Sequence, residues 1–388
     1  MNIKRSISKK VNKLFGTGRV KSDQAPIYNL YQTTYERSVL ICYITHPFYK
    51  ANHFTHQNYI TSHIIAESFS ELGYNVDIIS YLDKTTEIDY GKYAVIFGMG
   101  YRFEDSFYHA DRNIPRIMFV TGAHEHLHNE MCLRSINDFH RLSGLWLANE
   151  TNMISVSTYF SLFNADFAII LARGFVYEDY KSRFVNHLYS LNNNILGSFS
   201  EFKPKTAESR TKSFLFLTGA KLVTKGLHIL LEVAKLRTDL NFYIVVPHMD
   251  IHFENYYEQI LHHTPHVFLY KNIRMDSVEM RHIIENCSYT IASSYVDGLP
   301  GGTIEPMSAG LIPIVSKYCG FAREKFIFEM EELSSEGLNQ TIEKVLALDD
   351  RTYAEYCTQV RTYTINKFSA ASVKADLLEL LQKELKAV

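Results

Sequence analysis

Residues 293–316 read SSYVDGLPGGTIEPMSAGLIPIVS. Asp297 stands before a Pro300-Gly301-Gly302 turn, and Glu305 follows eight residues later, just inside what reads as a short helix. The apolar run Leu311 to Val315 then reads as a strand. A carboxylate before a glycine turn and a second one inside the next helix can point at one small polar ligand. The bare amides of the turn can face an anion.

The same strand-turn-helix alternation extends on both sides. Towards the N-terminus, Val39 to Thr45, Asn75 to Tyr81, Tyr93 to Phe97, Arg116 to Val120 and Phe167 to Leu171 are short apolar runs, with a helical stretch at Gln57 to Leu72 ending at Gly73. Gly197 to Lys212 is polar and sustains no apolar period, which predicts an interdomain linker. Beyond it come strand candidates at Phe214 to Thr218, Phe242 to Val246, Val267 to Tyr270 and Tyr289 to Ser293, with helices at Thr224 to Arg237 and Met275 to Glu285. Short apolar runs separated by helices predict parallel sheets covered on both faces. The expected fold class is therefore α/β, with two Rossmann-like domains at 38–196 and 213–368, a linker at 197–212 and a C-terminal helix at 369–388. A chain of 388 residues with 46% hydrophobic content is long enough for two such cores.

The bulk numbers exclude several function classes. Net charge is −2, without the basic excess that nucleic-acid binding by charge requires. Five cysteines are scattered without a CxxC pair, which reads as buried thiols in a reducing cytosol. No apolar run approaches the roughly 18 residues of a membrane span. The N-terminal segment 1–37 opens MNIKRSISKKVNKLFG, which lacks the apolar region of a signal peptide, so a cytoplasmic location is expected. Ile3, Ile7, Val11, Leu14 and Phe15 fall on one helical stripe flanked by Lys4, Arg5, Lys9, Lys10 and Lys13. That pattern suits a helix lying on the anionic inner face of the cytoplasmic membrane, or equally a basic tail. No strand is followed by G-x-G-x-x-G; Gly98-Met99-Gly100 is only a fragment of it, which argues against a nicotinamide dehydrogenase.

The spacing of Asp297 and Glu305, with SAGLIPIVS after them, resembles the E-x7-E signature of family 4 glycosyltransferases of the GT-B fold, with Asp297 where the first Glu usually stands. The segment LTGAKLVTKGLHILLEVAKL, 217–236, resembles that family's G-R-L-x-x-x-K-G stretch: Gly219, Lys225 and Gly226 match, Ala220 replaces the Arg, and Lys221 follows it. Leu227, Leu230, Leu231 and Ala234 recur at helical spacing, so a helix starting near Thr224 would put Lys225 in its first turn, where an anion would offset the unfavourable dipole.

The resemblance implies a retaining, metal-independent glycosyltransferase of the hexosyltransferase type. Its donor would be a nucleotide diphosphate sugar held by the second domain, its acceptor a glycan or lipid-linked saccharide held by the first, in surface polysaccharide synthesis. No cofactor, metal or nucleic acid is implied. Lys225 and Lys221 would hold the diphosphate, Glu305 the ribose, Asp297 the sugar or its leaving phosphate. Gly219, Gly298, Gly301, Gly302 and Thr303 would complete the donor side. The final helix would pack back on the first domain.

His124, in Thr121-Gly122-Ala123-His124-Glu125-His126-Leu127-His128, resembles the first-domain histidine that such enzymes present to their substrates, with His128 as its alternate and an acceptor-side candidate beside His46. His124, Glu125 and His128 also satisfy H-E-x-x-H, but they directly follow a strand and a glycine turn rather than lying within a helix, so no metal is expected there. The loop HPFYKANHFTHQN, 46–58, occupies the place of the family's glycine-rich phosphate loop without a single glycine. Its side chains His46, Lys50, His53 and His56 would have to make the contacts. The altered Arg position and this loop leave one alternative open, a GT-B-like protein that binds nucleotide sugar or glycan without turnover.

Overall fold

The computed structural model describes residues 25–49, 56–109, 111–152, 159–203 and 205–386. The N-terminal basic segment read above as a membrane helix or a tail falls largely outside them.

Among the described residues, twelve strands form two parallel six-stranded sheets. The first comprises β1 (Arg37–Tyr43), β2 (Tyr74–Ser80), β3 (Val95–Gly98), β4 (Arg116–Val120), β5 (Phe167–Ile170) and β6 (His187–Ser190), in the order β2-β1-β3-β4-β5-β6. The second comprises β7 (Ser213–Leu217), β8 (Asn241–Val246), β9 (Val267–Lys271), β10 (Tyr289–Ala292), β11 (Ile312–Val315) and β12 (Phe328–Glu329), in the order β12-β11-β10-β7-β8-β9. Central strands are buried on both faces, which is why they read as continuous apolar runs rather than alternating ones. The strand order reverses between β1 and β3 in one sheet and between β7 and β10 in the other. At such switch points the loops beyond the strand ends part and leave a crevice.

Two strands escaped the sequence reading. The edge strand β6 has no buried residue, and β12 is two residues long, so neither carries an apolar signal. The stretch 197–212 is packed rather than free. Phe199 is buried, Lys205 Nζ donates to the carbonyls of Ile284 (2.8 Å) and Glu285 (2.6 Å), and Arg210 donates to those of Val345, Leu346 and Leu348. The seam between the sheets lies just before it, at Asn192, Asn193 and Asn194, all buried. Asn193 Nδ2 donates to Leu299 O (3.0 Å), and Asn194 Oδ1 accepts from Thr61 Oγ1 (2.7 Å).

Two helices fix the domains against each other. Glu125–Ser143 leaves the first sheet, but its inner face (Leu127, Met131, Cys132, Ile136, Phe139) joins the core of the second, against Leu227, Leu231 and Phe253. In return the last helix, Ala370–Lys386, packs back on the first domain as expected. Val373, Leu377 and Leu381 share a core with Ile64, Ile65 and Phe69 of the helix Gln57–Glu71, and Lys374 Nζ reaches Glu67 and Glu71 at 2.7 Å. All five cysteines are buried and unbridged, and none of the described helices is long and apolar enough to cross a membrane.

Candidate active site

The crevice at the β7/β10 switch point opens into a cleft of ≈ 590 Å³ between the domains. One wall is the loop after β7. Its turn closes with Lys225 N–H on Lys221 O and Leu227 N–H on Leu222 O, both at 3.0 Å. Gly226 has φ +74°, and a Cβ there would stand 2.0 Å from the carbonyl oxygen of Ser293 at the end of β10. Only glycine permits this close crossing.

Gly226 also corrects the expected helix start. The helix runs Leu227–Leu236 with Gly226 as its N-cap, so Lys225 lies in the preceding turn, outside the first helical turn. What neutralises Lys225 is a carboxylate. Its Nζ donates to Asp297 Oδ2, and both side chains are largely buried.

Asp297 is held by its own surroundings. Its Oδ1 accepts from Gly298 N–H (3.0 Å) and its backbone N–H donates to Tyr318 O (2.9 Å). Beyond it, Pro300 caps the helix Gly301–Ser308. A Cβ on Gly302 would lie 2.0 Å from Leu217 O, so the open amides of this helix are pressed against the end of β7, at the floor of the cleft.

Residues of the first domain pin the opposite side of the β7 loop. Lys221 Nζ donates to Asn149 O (2.6 Å), Leu222 N–H donates to Glu150 Oε2 (2.8 Å), and Thr224 Oγ1 donates to Thr151 Oγ1 (2.8 Å). The loop that would hold an anion is thus fixed by both domains.

Gly219, Lys221, Lys225, Asp297, Gly298, Gly301, Gly302 and Thr303 all line the cleft, facing His56, Gln57 and Asn58 of the first domain. Glu305 lies beneath this surface, fully buried. Its Oε1 accepts from Gln57 Nε2 (3.3 Å) and from Leu196 N–H, while its Oε2 has no partner among the described residues. Burial raises its carboxyl to about 7, and those donors offset only part of the rise. Gln57 lies over Gly301, where an added Cβ would meet its amide at 2.3 Å, so Gln57 separates Glu305 from the open cleft.

His56 stands at the lip. Its side chain is exposed and lines the cleft, and its pKa is lowered by burial and by the charge of Lys225, against the opposite pull of Asp297.

A second cavity of ≈ 340 Å³ adjoins the first. Its wall is mixed, with Met99, Phe103, Met118 and Leu162 on the apolar side and Glu125, His128 and Ser161 among its polar members. Thr121, Asn152, Asp297 and Gly298 belong to both cavities, so the two meet at the Asp297-Gly298 peptide.

His124 is not brought to either cavity. It is the N-cap of Glu125–Ser143, its Nδ1 accepts from His126 N–H (3.2 Å), and its ring is buried against Tyr180. Burial, aided by Arg183 and His126, lowers its pKa to about 4. His46 packs on Tyr59 and lines neither cavity. The H-E-x-x-H histidines therefore face different neighbours, and among the described residues no three His, Cys, Asp or Glu side chains gather as metal ligands. Sequence reasoning passed over Gln57 and the Asn149-Glu150-Thr151 brace; the adjacent Asn192-Asn193-Asn194 run was a visible hint of a buried polar seam.

Residues 198–361 match the sequence model of the family described as glycosyl transferases group 1. No curated protein matches the chain significantly. Among solved structures, sucrose-phosphate synthase from Thermosynechococcus elongatus is similar at TM-score 0.60 and 13% identity, over 91% of this chain and 100% of that one. WaaG, described as a glycosyltransferase involved in lipopolysaccharide biosynthesis, is similar at TM-score 0.53 and 13% identity, over 88% of this chain and 99% of that one. TarM overlaps at TM-score 0.49 and 16% identity, over 74% of this chain, which spans only 54% of TarM's length. Two doubly wound domains joined by a returning C-terminal helix give this chain the GT-B fold, with a second domain, carrying the β7/β10 crevice, that matches the glycosyl transferases group 1 family.

Proposed function

We propose that the protein is a retaining glycosyltransferase that moves a hexose from a nucleotide diphosphate sugar to a hydroxyl of a glycan or lipid-linked saccharide, without a metal. The observation that carries this reading is the junction of two cavities at Asp297-Gly298, one lined by lysines and helix amides, the other by Glu125 and His128 among apolar side chains. The donor's diphosphate takes Lys225 from Asp297 and rests on the first-turn amides at Gly301 and Gly302. Negative charge then grows on the departing diphosphate against donors already in place, which is where electrostatic preorganisation lowers a barrier most. The bond from the anomeric carbon to phosphate breaks, the acceptor oxygen bonds to that carbon, and the acceptor's proton leaves with the diphosphate. Asp297, freed of its lysine, faces the sugar at the meeting of the two cavities.

The test is a screen of UDP-, GDP-, ADP- and dTDP-sugars for binding and for release of nucleoside diphosphate, with the anomeric proton of the product read by NMR. Turnover with retained configuration is expected; an inverted product sinks the retaining mechanism. One rival has an observation in its favour. Lys225 is already paired with Asp297 and Glu305 is covered by Gln57, as in a domain that binds nucleotide sugar without turning it over. Saturable binding with no release in any acceptor mixture would establish that rival.

The N-terminal segment is proposed to bring the enzyme to anionic lipid, where a lipid-linked acceptor resides. Its five basic residues each contribute up to about 1 kcal/mol at such a surface. Flotation with anionic liposomes should be strong for the full chain, weak for a chain starting at Lys21, and sensitive to salt; equal flotation of both excludes this role.

A further inference from the structure

Among the described residues, the first-domain side of the cleft is lined by side-chain-bearing residues, His56, Gln57, Asn58, Thr121 and Asn152 among them, and by no glycine. We infer that His56 donates its Nε2–H as a neutral imidazole to the diphosphate, across the cleft from Lys225. This rests on the nucleotide-sugar reading above.

Three observations carry it. His56 is the N-cap of the 15-residue helix Gln57–Glu71, and its Nδ1 accepts the backbone N–H of Asn58 at 3.2 Å. With that lone pair engaged, the neutral ring must hold its proton on Nε2. His56, Gln57 and Asn58 all line the cleft, and Nε2 has no hydrogen-bond partner among the described residues. The ring stands within the fields of both Lys225 and Asp297, which places it beside the pair the diphosphate must separate. The cap thus does two jobs: it starts the helix and it locks the tautomer that aims a donor into the cleft. Because Lys225 disfavours a second positive charge nearby, the ring adds a hydrogen bond without a further charge, and the spent diphosphate is not held by two cations.

A purely structural cap is the competing role, and His56→Asn separates the two. Asn is a good N-cap and accepts from Asn58 N–H equally well, but with its carbonyl oxygen so engaged it lacks the Nε2–H donor at the far edge of the imidazole. Calorimetric titration of inorganic pyrophosphate, and of UDP, GDP and ADP, into the full-length wild type and variants gives the reading. His56→Asn is expected to keep the wild-type melting temperature and to lose about tenfold in pyrophosphate affinity, as befits one hydrogen bond to a charged group. His56→Gln, which restores a donor of longer reach, should recover most of that loss. Wild-type pyrophosphate affinity in His56→Asn overturns the assignment, as does failure of the wild type to bind pyrophosphate. If His56→Asn melts early, His56→Gln decides, since recovery supports the donor role and its absence overturns it. Pyrophosphate binding that depends on His56 in a protein that takes no nucleoside diphosphate would refute the nucleotide-sugar reading alone.

Discussion

The two sides of the cleft are built by different means. The second domain presents backbone: Gly226 and Gly302 bring chain segments to contacts that admit no side chain, and a helix start supplies amides beside one lysine. The first domain presents side chains, namely His56 and Gln57 over the donor cleft and Glu125 and His128 in the adjoining cavity. A backbone site needs particular residue types at fixed spacing, so it leaves a motif. A side-chain site needs only reach and chemistry, which many sequences meet, and it leaves none. The proposed roles, most diphosphate contacts on the glycine side and the acceptor on the side-chain side, match that division.

If the division is right, the glycine side should be the more brittle. Lys225→Ala is expected to lower the transfer rate by two to three orders of magnitude, about 3–4 kcal/mol of transition-state stabilisation, with circular dichroism unchanged. Near wild-type turnover would remove the lysine from the chemistry. Gly226→Ala should cost about 3 kcal/mol in chemical unfolding, from its left-handed backbone and the clash with Ser293 O together. Gly219→Ala, with nothing within 4 Å of the new methyl, should be close to neutral in the same assay. Equal losses at both would mean that the β7 loop yields.

Glu305 sharpens the comparison, because it joins the two sides. Its carboxyl rises from 4.5 to about 7 in the folded protein. Below 4.5 it is protonated in both states and its burial costs little. As pH rises through 7 the fold must hold a buried charge that the unfolded chain carries in water, so this contribution to stability is present in acid and lost between 4.5 and 7. Glu305→Gln, neutral throughout, should gain about 2–3 kcal/mol on the wild type between pH 4.5 and pH 8. A pH-independent difference would mean that Glu305 ionises normally.

The smallest effect is expected on the first-domain side. Glu125 lines the second cavity with one oxygen dry and without a partner among the described residues. Glu125→Ala should raise the acceptor KM about tenfold and leave the donor KM alone. A change in donor KM instead would place Glu125 with the wrong substrate.

This asymmetry also explains what the sequence could tell. Buried parallel strands and the spacing of Lys225, Asp297 and Glu305 are read directly, because continuous apolar runs and glycine-bounded loops have few other uses. The helix start at Gly226 was misplaced by two to three residues, since the apolar period of Leu227 to Ala234 says nothing about a left-handed residue before it. His124 looked functional because it follows a strand, yet its ring turns inward to cap a helix, a choice made by packing against Tyr180. Glu150 and Gln57 have no local signature at all; only the fold brings them to the β7 loop and to Glu305.

The central claim is that a diphosphate sits between Lys225 and the start of the helix Gly301–Ser308. A crystal structure with the best-bound nucleoside diphosphate tests it most directly. The account predicts diphosphate oxygens within hydrogen-bond reach of Lys225 Nζ and the Gly301 and Gly302 amides, with the Lys225–Asp297 pair parted. A nucleotide bound elsewhere, or in this cleft with that ion pair intact, would contradict it.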